Sequence, residues 1–433
     1  MSFLLKQLKG VKVPHWKNTT HEKPVRMPIP AKVSIPMAMH IGAPCKMVVA
    51  VGDEVKVGQP IGEPAGFVGA PIHSSVSGKV TAMEKVQLFN GRFDAVVIET
   101  DGLQSVWEGV QPPEVTDTDS FLAAVRASGL VGLGGAGFPA SVKLTVREPA
   151  KAEYLVINGA ECEPFLTSDF TTMVDDTENM ITAISAVCKY VGIPNVIIGI
   201  EKNKPEAISL FEKKASEIGY NFQVKSLPAM YPQGGEKVLI YNCTGRVVPA
   251  GKLPLDVGCI VMNVTSLAVL GKYLKTGMPL IEKCVTIDGS AVKHPGKVIA
   301  PIGATIREAV EALGGYKCEP KKILMGGPMM GMAVPTDQCP VVKNNNGFVC
   351  FDEKDAVLPE ATECINCGRC VATCPLSLMP NRIARAYKIK DVDQLKELDV
   401  TTCMECGCCS FVCPAKKDLV GTNKLSKALV TGR

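Results

Sequence analysis

The chain has 433 residues, a length that corresponds to about three domains at roughly 150 residues each. Hydrophobic residues make up 46% of it and charged residues 21%, which is typical of globular domains with an apolar core. The net charge of +4 and the aromatic content of 5% argue against a nucleic-acid-binding surface. No apolar stretch approaches the ~20 residues of a membrane-spanning helix, and the N-terminus lacks the apolar region of a signal peptide. We therefore expect a soluble cytoplasmic chain. Such a chain can still dock onto a membrane partner.

Residues 1–30 are basic and contain several prolines, which indicates an extended arm. Residues 31–110 contain short apolar stretches broken by Gly and Pro, which predicts half-buried strands joined by turns. Two half-units that begin at Val51 and Ala70 resemble the barrel-sandwich hybrid of biotinyl and lipoyl domains. In those domains the hairpin between the halves presents a modifiable Lys, whereas residues 64–67 here are Pro-Ala-Gly-Phe. We therefore expect a structural or docking role for this domain.

Residues 116–280 alternate helix-like and strand-like segments, which indicates a mainly parallel sheet with helices on both faces. Capping residues at 116–119 predict a helix that runs through Ala127. The other predicted elements are strands at 154–158 and 195–200 and a helix over 176–191.

The last third of the chain changes character. Residues 281–345 contain a strand, a Pro-Gly turn at 295–296 and a helix over 305–313, in the order of a β-grasp module. Residues 355–420 contain nine of the 18 cysteines, and eight of these nine fall in two tight groups joined by a polar helical hairpin. Residues 421–433 form a basic tail. The sequence is equally compatible with a tail that lies in solvent and with one that docks onto a partner.

The two cysteine groups have the form C-x2-C-x2-C-x3-C-P. The first contains Cys364, Cys367, Cys370 and Cys374, and the second contains Cys403, Cys406, Cys409 and Cys413. Thiolates at this spacing hold [4Fe–4S] clusters, with the fourth Cys of each group crossing to the other cluster. We therefore predict a first cluster on Cys364, Cys367, Cys370 and Cys413, and a second cluster on Cys403, Cys406, Cys409 and Cys374. Zinc sites are the alternative, but they usually pair knuckles that lie farther apart.

Two further segments carry possible ligand chemistry. The glycine-rich loop at 132–139 precedes Lys143, so its amides could cradle a phosphate that Lys143 reaches, although such loops are more often simple turns. The acidic turn at 158–164, Asn-Gly-Ala-Glu-Cys-Glu-Pro, follows a predicted strand at the end where open α/β sheets bind ligands. Its carboxylates could accept from ribose hydroxyls or an amide, or could belong to an exposed polar turn. Segments 231–237 and 261–266 add Gly, charged, amide and hydroxyl groups that also suit ordinary loops.

Together these motifs resemble the FMN- and NADH-binding subunit of respiratory complex I. The whole domain order resembles the C subunits of Rnf electron-transport complexes, and this resemblance covers nearly the entire chain. It implies a multidomain α+β and α/β fold: a barrel-sandwich hybrid, a flavin domain, a β-grasp and a helical domain of ferredoxin type. The resemblance also implies FMN, NAD(H) and two [4Fe–4S] clusters as cofactors. The chain would then be a peripheral subunit at the cytoplasmic face of the membrane, with integral-membrane and iron–sulfur subunits as partners and ferredoxin as an indirect one.

The resemblance also implies particular contacts. FMN contacts are expected at Gly132, Gly134, Gly135, Gly137, Lys143, Asn158, Asn263 and Ser266, and NAD(H) contacts at Phe138, Glu161 and Glu163. Gly234 and Glu236 complete the expected cofactor-binding set. No side chain is expected to act as a nucleophile or general acid. The complex I pattern has Asp at Ala160, Glu at Gly235, Asn at Met262, Glu at Thr265 and Thr at Ala140, so the FMN contacts are better retained than the dinucleotide contacts.

The expected activity is that of a ferredoxin:NAD oxidoreductase of the ion-translocating class. FMN would exchange hydride with NAD(H), and the clusters would carry single electrons. Two alternatives remain: a flavin and iron–sulfur cobalamin reductase of a microcompartment, and a non-enzymatic cluster-bearing adaptor with a degenerate flavin domain. Corrin reduction without membranes distinguishes the first alternative, and retention of FMN that NADH bleaches distinguishes the second.

Overall fold

The computed structural model describes residues 9–146 and 152–432. Residues 1–8 of the expected arm, residues 147–151 of the α/β region and Arg433 of the expected tail lie outside the described parts. The described part of the arm is irregular, with a turn at residues 18–21, and contains strand β1 (Val25–Arg26), which pairs in parallel with residues 298–299 of the β-grasp module.

The hybrid domain consists of two small antiparallel sheets packed face to face. Its strands are β2 (Lys32–Pro36), β3 (Lys46–Met47), β4 (Glu54–Val55), β5 (Pro60–Glu63), β6 (Ile72–His73), β7 (Gly78–Leu88) and β8 (Gly91–Thr100). One sheet has the order β2-β8-β7-β4 and the other β3-β5-β6. The turn at 64–67 lies between β5 and β6, as the sequence predicts.

The α/β domain is built on a four-stranded sheet in which all strands are parallel. Its elements are α1 (Thr118–Ala127), α2 (Ala140–Leu144), β9 (Tyr154–Gly159), α3 (Ser168–Asp175), α4 (Thr177–Val191), β10 (Asn195–Glu201), α5 (Pro205–Ile218), β11 (Phe222–Leu227), α6 (Glu236–Thr244), β12 (Cys259–Asn263) and α7 (Val264–Thr276). A short 3-10 helix spans Pro254–Val257. The strand order is β11-β10-β9-β12. Alternate residues of β9 face opposite sides of the sheet: Leu155 joins the main core, and Val156 packs with Leu239 of α6.

Helix α1 begins where the capping residues predict. The Asp117 carboxylate accepts from the Ser120 amide, and Ser120 Oγ accepts from the Asp117 amide. Such a capping box typically contributes about 1 kcal/mol to helix stability.

The β-grasp module contributes most of a six-stranded sheet. Its elements are β13 (Glu282–Asp288), β14 (Gly296–Pro301), α8 (Ile306–Glu311), β15 (Lys322–Met325), β16 (Met332–Val334) and β17 (Gly347–Phe351). The strand order is β1-β14-β13-β17-β15-β16, so the arm forms one edge.

The C-terminal domain is helical. Its helices are α9 (Glu353–Ala356), α10 (Arg369–Thr373), α11 (Pro380–Lys388), α12 (Val392–Glu397), α13 (Cys408–Phe411) and α14 (Leu419–Thr431), with a 3-10 turn at Val400–Thr402. Residues 421–432, expected as a basic tail, belong mostly to α14, which packs on α11 and buries Asn423 and Ser426. The helix buries two polar residues beside Leu419 and leaves Leu425 and Leu429 exposed, which is why its sequence does not predict a packed element.

The described residues have the multidomain fold that the sequence predicts. Within residues 9–146 and 152–432, none of the helices combines the length and apolar character that a membrane crossing requires.

Candidate functional site

The parallel sheet places two predicted residues side by side at its carboxyl edge. Asn158 at the end of β9 is the register partner of Asn263 at the end of β12. The chain passes outward from β9 to β10 and β11, then returns to the other side of β9 with β12. Ligands of open α/β sheets bind beyond the carboxyl ends of strands at such a reversal of strand order. This edge is therefore the expected position of a cofactor.

The glycine-rich loop closes on itself beside this edge. The Gly132 amide donates to the Phe138 carbonyl at 2.9 Å, and Phe138 itself is half-buried. The Leu133 amide donates to Ser266 Oγ at 3.1 Å, which joins the loop to the first turn of α7. The loop is thus a shaped segment fixed to the end of β12.

Two glycines of the loop have different surroundings. A Cβ at Gly134 would lie 2.6 Å from Asn263 Nδ2, so this position admits no side chain. A Cβ at Gly135 would meet no atom of the described residues within 4 Å, so among these residues the loop surface at Gly135 is open to a ligand. A glycine loop that is tight on its protein side and open on the other fits a cofactor bound through main-chain groups. The residues present therefore fit FMN.

The neighbouring domains hold the outer part of this loop. Asn344 Nδ2 of the β-grasp module donates to the Gly135 carbonyl at 3.1 Å. The Ile41 amide of the hybrid domain donates to the carbonyl of Gly137 at 3.1 Å. Three domains therefore determine the shape of the candidate flavin loop.

Asn263 is fully engaged at the N-terminus of α7. Its Oδ1 accepts from the amides of Thr265 and Ser266, and its Nδ2 donates to Asp169 Oδ2 at 2.8 Å. Thr265 Oγ1 donates to the other Asp169 oxygen at 2.8 Å. The buried Asp169 was not selected from the sequence, where its only local signal is its place in the first turn of a helix just after the acidic turn.

Lys143 lies on α2, on the far side of the loop. Its Nζ donates to Glu236 Oε1 at 3.2 Å and to the Val261 carbonyl at 3.0 Å. Both side chains of this ion pair are partly exposed, and such pairs contribute at most about 1 kcal/mol. Lys143 can therefore exchange Glu236 for a ligand phosphate at little cost.

The carboxylate of Glu161 binds main-chain groups. Its oxygens accept from the Asp169 amide at 2.7 Å and the Phe170 amide at 3.3 Å, at the start of α3. Burial raises the pKa of Glu161 to about 7. In this structure Glu161 stabilises the link between the acidic turn and α3.

Glu163 joins the acidic turn to the β-grasp module. Its carboxylate accepts from the Met329 amide at 3.0 Å and the Met330 amide at 2.7 Å. Burial raises the pKa of Glu163 to about 7. Both acidic residues of the turn are therefore occupied with protein groups.

Gly234 completes the same edge of the sheet. Its carbonyl accepts from Asn158 Nδ2 at 2.9 Å, and its amide donates to Cys162 Sγ at 3.2 Å. The loop at 228–236 thereby lies against both the end of β9 and the acidic turn.

The helical domain brings the predicted ligands of the second cluster around one cavity. Cys374, Cys403, Cys406 and Cys409 all line it, together with Cys408, apolar side chains and Asn423. Burial and the neighbouring thiols raise the pKa of Cys409 to about 12, so a thiolate at Cys409 is favoured by a bound cation. Cys374 comes from the first cysteine group, as the predicted crossing requires. The donor set and the apolar walls fit a [4Fe–4S] cluster.

Asn423 of α14 was not selected from the sequence. Its Nδ2 donates to Cys403 Sγ at 3.5 Å, the residue is 1% exposed, and its Oδ1 has no hydrogen-bond partner among the described residues. Nothing in the local sequence indicates this contact, since Asn423 and Cys403 are 20 residues apart.

The predicted ligands of the first cluster are less enclosed. Cys364 and Cys367 are exposed, whereas Cys370 is buried and packs near Cys413. Cys409 lies in the same cluster of side chains as Cys370, so the crossing of Cys413 to the first cluster stays a prediction. In residues 9–146 and 152–432, no three His, Cys, Asp or Glu side chains converge on one ion position. A cubane takes one thiolate at each of four irons, so its ligands surround a volume rather than a point.

The second-cluster loop, residues 403–409, contacts the α/β domain directly. Tyr231 Oη donates to the Cys406 carbonyl at 2.7 Å, and Tyr231 is only 1% exposed. The side chain of Met404 covers Gly235. We call the ends of β9 and β12 together with the glycine-rich loop at 132–139 the candidate flavin edge. This edge and the second cysteine cavity are therefore joined through the loop at 228–236.

Four family models match successive parts of the chain. They are the RnfC barrel sandwich hybrid domain (residues 5–103), the Nuo51 FMN-binding domain (125–272), the SLBB domain (284–333) and a 4Fe-4S dicluster domain (356–414). The fold and its sites thus define an electron-transfer subunit with an FMN-binding domain and a two-cluster iron–sulfur domain.

Characterised relatives extend over nearly the same length. The chain is 41% identical over 423 residues to the C subunit of the Na(+)-translocating ferredoxin:NAD(+) oxidoreductase complex of Acetobacterium woodii, covering 96% of this chain and 95% of the relative. It is 40% identical over 380 residues to the C subunit of the proton-translocating complex of Clostridium ljungdahlii, covering 87% and 83%. The chain belongs to this family, the C subunits of Rnf-type ion-translocating oxidoreductase complexes.

Solved structures show a similar fold. A chain of an NAD+-reducing [NiFe]-hydrogenase in the H2-reduced state matches with a TM-score of 0.51 at 18% identity, over 72% of this chain and 61% of that chain. In the air-oxidized state the TM-score is 0.50, over 65% and 54%. The match spans less than two thirds of either hydrogenase chain and concerns the fold alone.

Proposed function

We propose that this chain is a peripheral redox subunit of an ion-translocating ferredoxin:NAD oxidoreductase complex. In this role it exchanges hydride between NAD(H) and FMN and passes single electrons through two [4Fe–4S] clusters. The observation that carries the proposal is the direct contact between the second-cluster loop and the candidate flavin edge, through Tyr231 and Cys406. Ion translocation, and with it the translocase class, belongs to the whole complex.

The residues of the flavin edge have separate tasks in this proposal. Bound FMN would supply the exchange between two-electron and one-electron transfer that nicotinamide and clusters require. Gly132, Gly134, Gly135 and Gly137 form the loop that receives it, Lys143 offers a positive charge to its phosphate, and Asn158, Asn263 and Ser266 fix the loop to the sheet. The tight approach of Gly134 to Asn263 and the open surface at Gly135 support this assignment.

The acidic turn supports the dinucleotide side of the site. Glu161 and Glu163 accept bonds from backbone amides, so we assign them the task of holding the turn in shape. Phe138, half-buried at the end of the glycine loop, offers a ring surface to NAD(H). Glu236 neutralises Lys143, and the main chain of Gly234 anchors the neighbouring loop.

The two clusters have a definite order in this proposal. The second cluster lies at the flavin edge, because its loop contacts residues 228–236. The first cluster lies toward solvent, because Cys364 and Cys367 are exposed. The first cluster is therefore the side that exchanges electrons with an iron–sulfur partner subunit, and through it indirectly with ferredoxin.

The subunit is proposed to act at the cytoplasmic face of the membrane, with integral-membrane and iron–sulfur subunits as partners. The names of the relatives, which describe complexes that translocate ions, support a place in such a complex. We also propose the domain limits 31–110, 116–280, 281–345 and 355–420, with the third extended to residue 351 to include β17 of the same sheet and the fourth extended to residue 431 to include α14.

Cofactor content tests the proposal directly. Protein purified anaerobically should contain about eight iron atoms and bound FMN, and NADH should bleach the flavin. Four or fewer iron atoms, stoichiometric zinc, or a chain that never retains FMN would contradict it.

A further inference from the structure

The N-terminal arm crosses the junction between the flavin edge and the second cluster. Thr373 Oγ1 of the helical domain donates to the Gly10 carbonyl at 2.8 Å. One residue later, Val11 and Tyr231 exchange two main-chain hydrogen bonds of 2.8 and 2.9 Å. The arm therefore contacts the cluster domain and the α/β domain within two successive residues.

The same segment supplies the apolar contacts of that junction. Val11 and Val13 are 5% and 7% exposed. They form one buried cluster with Cys162, Tyr231, Cys406 and Cys408, against which Met329, Met404 and Val412 pack. Each valine side chain that is fully removed from water contributes about 1.5–3 kcal/mol, so the arm is a substantial part of this contact.

Lys17 fixes the arm to the acidic turn. Its Nζ donates to the carbonyls of Glu161 and Glu163, each at 2.8 Å, and also to that of Leu166. These three acceptors satisfy all three N–H donors of an ammonium. Glu161 and Phe165 of this turn have φ of 43° and 70°, a conformation that costs roughly 1–2 kcal/mol per residue other than Gly. The Lys17 ammonium compensates this strain from outside the α/β domain.

Beyond Lys17 the arm continues into further buried contacts. Thr19 Oγ1 and Thr167 Oγ1 lie 2.6 Å apart, and the Thr20 carbonyl accepts from Lys297 Nζ at 3.0 Å. The segment is thus fixed at both ends of its path across the junction.

We propose that residues 9–20 form a clamp that holds the second-cluster loop against the flavin edge, with Lys17 as its anchor. Lys17 is a positioning residue, since it touches neither the candidate flavin loop nor a cysteine ligand. The proposal deepens the proposed function and rests on it for its kinetic readout. Electron transfer between two centres falls steeply with their separation, so a loop that moves away from residues 228–236 slows it.

Two variants separate the clamp from the cofactor sites. In Gly10→Val the added side chain would overlap the Tyr231 carbonyl oxygen and displace the arm at the junction. In Lys17→Met an apolar chain of similar length removes the three donors. Lys12→Met is the matched control, because Lys12 is an exposed lysine on the same segment.

The kinetic test follows anaerobic reduction of the holoprotein by NADH in a stopped-flow instrument. One NADH supplies two electrons as a hydride and leaves NAD+, each cluster accepts one electron, and one proton is released. Gly10→Val should retain FMN and iron and bleach its flavin at the wild-type rate. Its clusters should be reduced more slowly, on the order of tenfold or more, as for other small displacements of reacting groups. Lys12→Met should match the wild type.

Hydrogen exchange tests the clamp without reference to electron transfer. Amide exchange in residues 403–411 should rise in both Gly10→Val and Lys17→Met, and exchange in residues 161–166 should rise only in Lys17→Met. The proposal would be overturned if Gly10→Val showed the amide exchange and the rate of cluster reduction of the wild type. It would also be overturned if the slower cluster reduction were fully explained by a loss of iron from the variant. If NADH fails to bleach the wild-type flavin, the proposed function is wrong, whereas the exchange data still decide on the clamp.

Discussion

Gly135→Val is the most informative single substitution at the candidate flavin edge. Within the described part of the chain, no atom lies within 4 Å of the position that a Cβ would take at Gly135, and the backbone of Gly135 is not in the left-handed region. The change in free energy of unfolding should therefore stay within about 0.5 kcal/mol. A bound FMN, in contrast, would meet the isopropyl group. Overpacking of this kind costs about 1–3 kcal/mol, which corresponds to roughly a fivefold to 150-fold weaker affinity.

The assay compares FMN content, iron content and the unfolding temperature of the anaerobic protein. Gly66→Val is the matched control, since Gly66 also has open space around its Cβ position and lies in the exposed turn of the hybrid domain. We expect Gly135→Val to lose flavin and keep its iron, and Gly66→Val to keep both. Normal flavin content in Gly135→Val would refute the assignment of this loop, and loss of iron together with flavin would show that the substitution disturbs the fold.

Three further predictions concern the neighbouring groups. Asn423→Leu removes the N–H donor to Cys403 Sγ, and this donor stabilises the more negative, reduced form of the cluster. The reduction potential of the second cluster alone should therefore fall, and unchanged potentials in an EPR-monitored titration would contradict this. Burial raises the pKa of Glu163 from 4.5 to about 7, so between these pH values the folded state binds one proton more than the unfolded state. The free energy of unfolding should therefore fall as pH rises, by up to about 1.4 kcal/mol per pH unit, and level off above about pH 7. Thermal unfolding of Glu163→Gln should lack this slope, and equal slopes in both proteins would rule the explanation out. Cys374→Ser should diminish the EPR signal of the second cluster and not of the first, and the reverse would contradict the crossed assignment.

Features that depend on nearby residues could be predicted from the sequence. Asp117 and Ser120 determine the start of α1 within four residues, and the buried run of β10 follows from its own apolar residues. The pairing of Asn158 with Asn263 follows from a general rule, because the carboxyl ends of parallel strands meet at one edge. Local patterns and this rule together suffice to place the flavin edge.

Features that depend on distant parts of the chain could not be predicted. Lys17 reaches the carbonyl of Glu161 across 144 residues, and no local pattern distinguishes it from the other lysines of a basic arm. Helix α14 turns Asn423 and Ser426 inward, so it lacks the apolar stripe by which an amphipathic helix is recognised. The engagement of Glu161 and Glu163 with backbone amides likewise depends on the packing of α3 and the β-grasp module. Their expected contact with NAD(H) stays a prediction.

The central claim is that flavin and clusters form one relay within this chain. An anaerobic NADH titration of the isolated protein, followed by absorbance and EPR, measures both ends of the relay at once. We predict that the flavin bleaches and that a cluster EPR signal, first from the cluster that Cys374→Ser removes, appears during the same titration. The contradicting result is a flavin that bleaches while the clusters stay oxidised. A separate titration with dithionite must then show that the reduction potentials of the clusters lie within the range that NADH can reach.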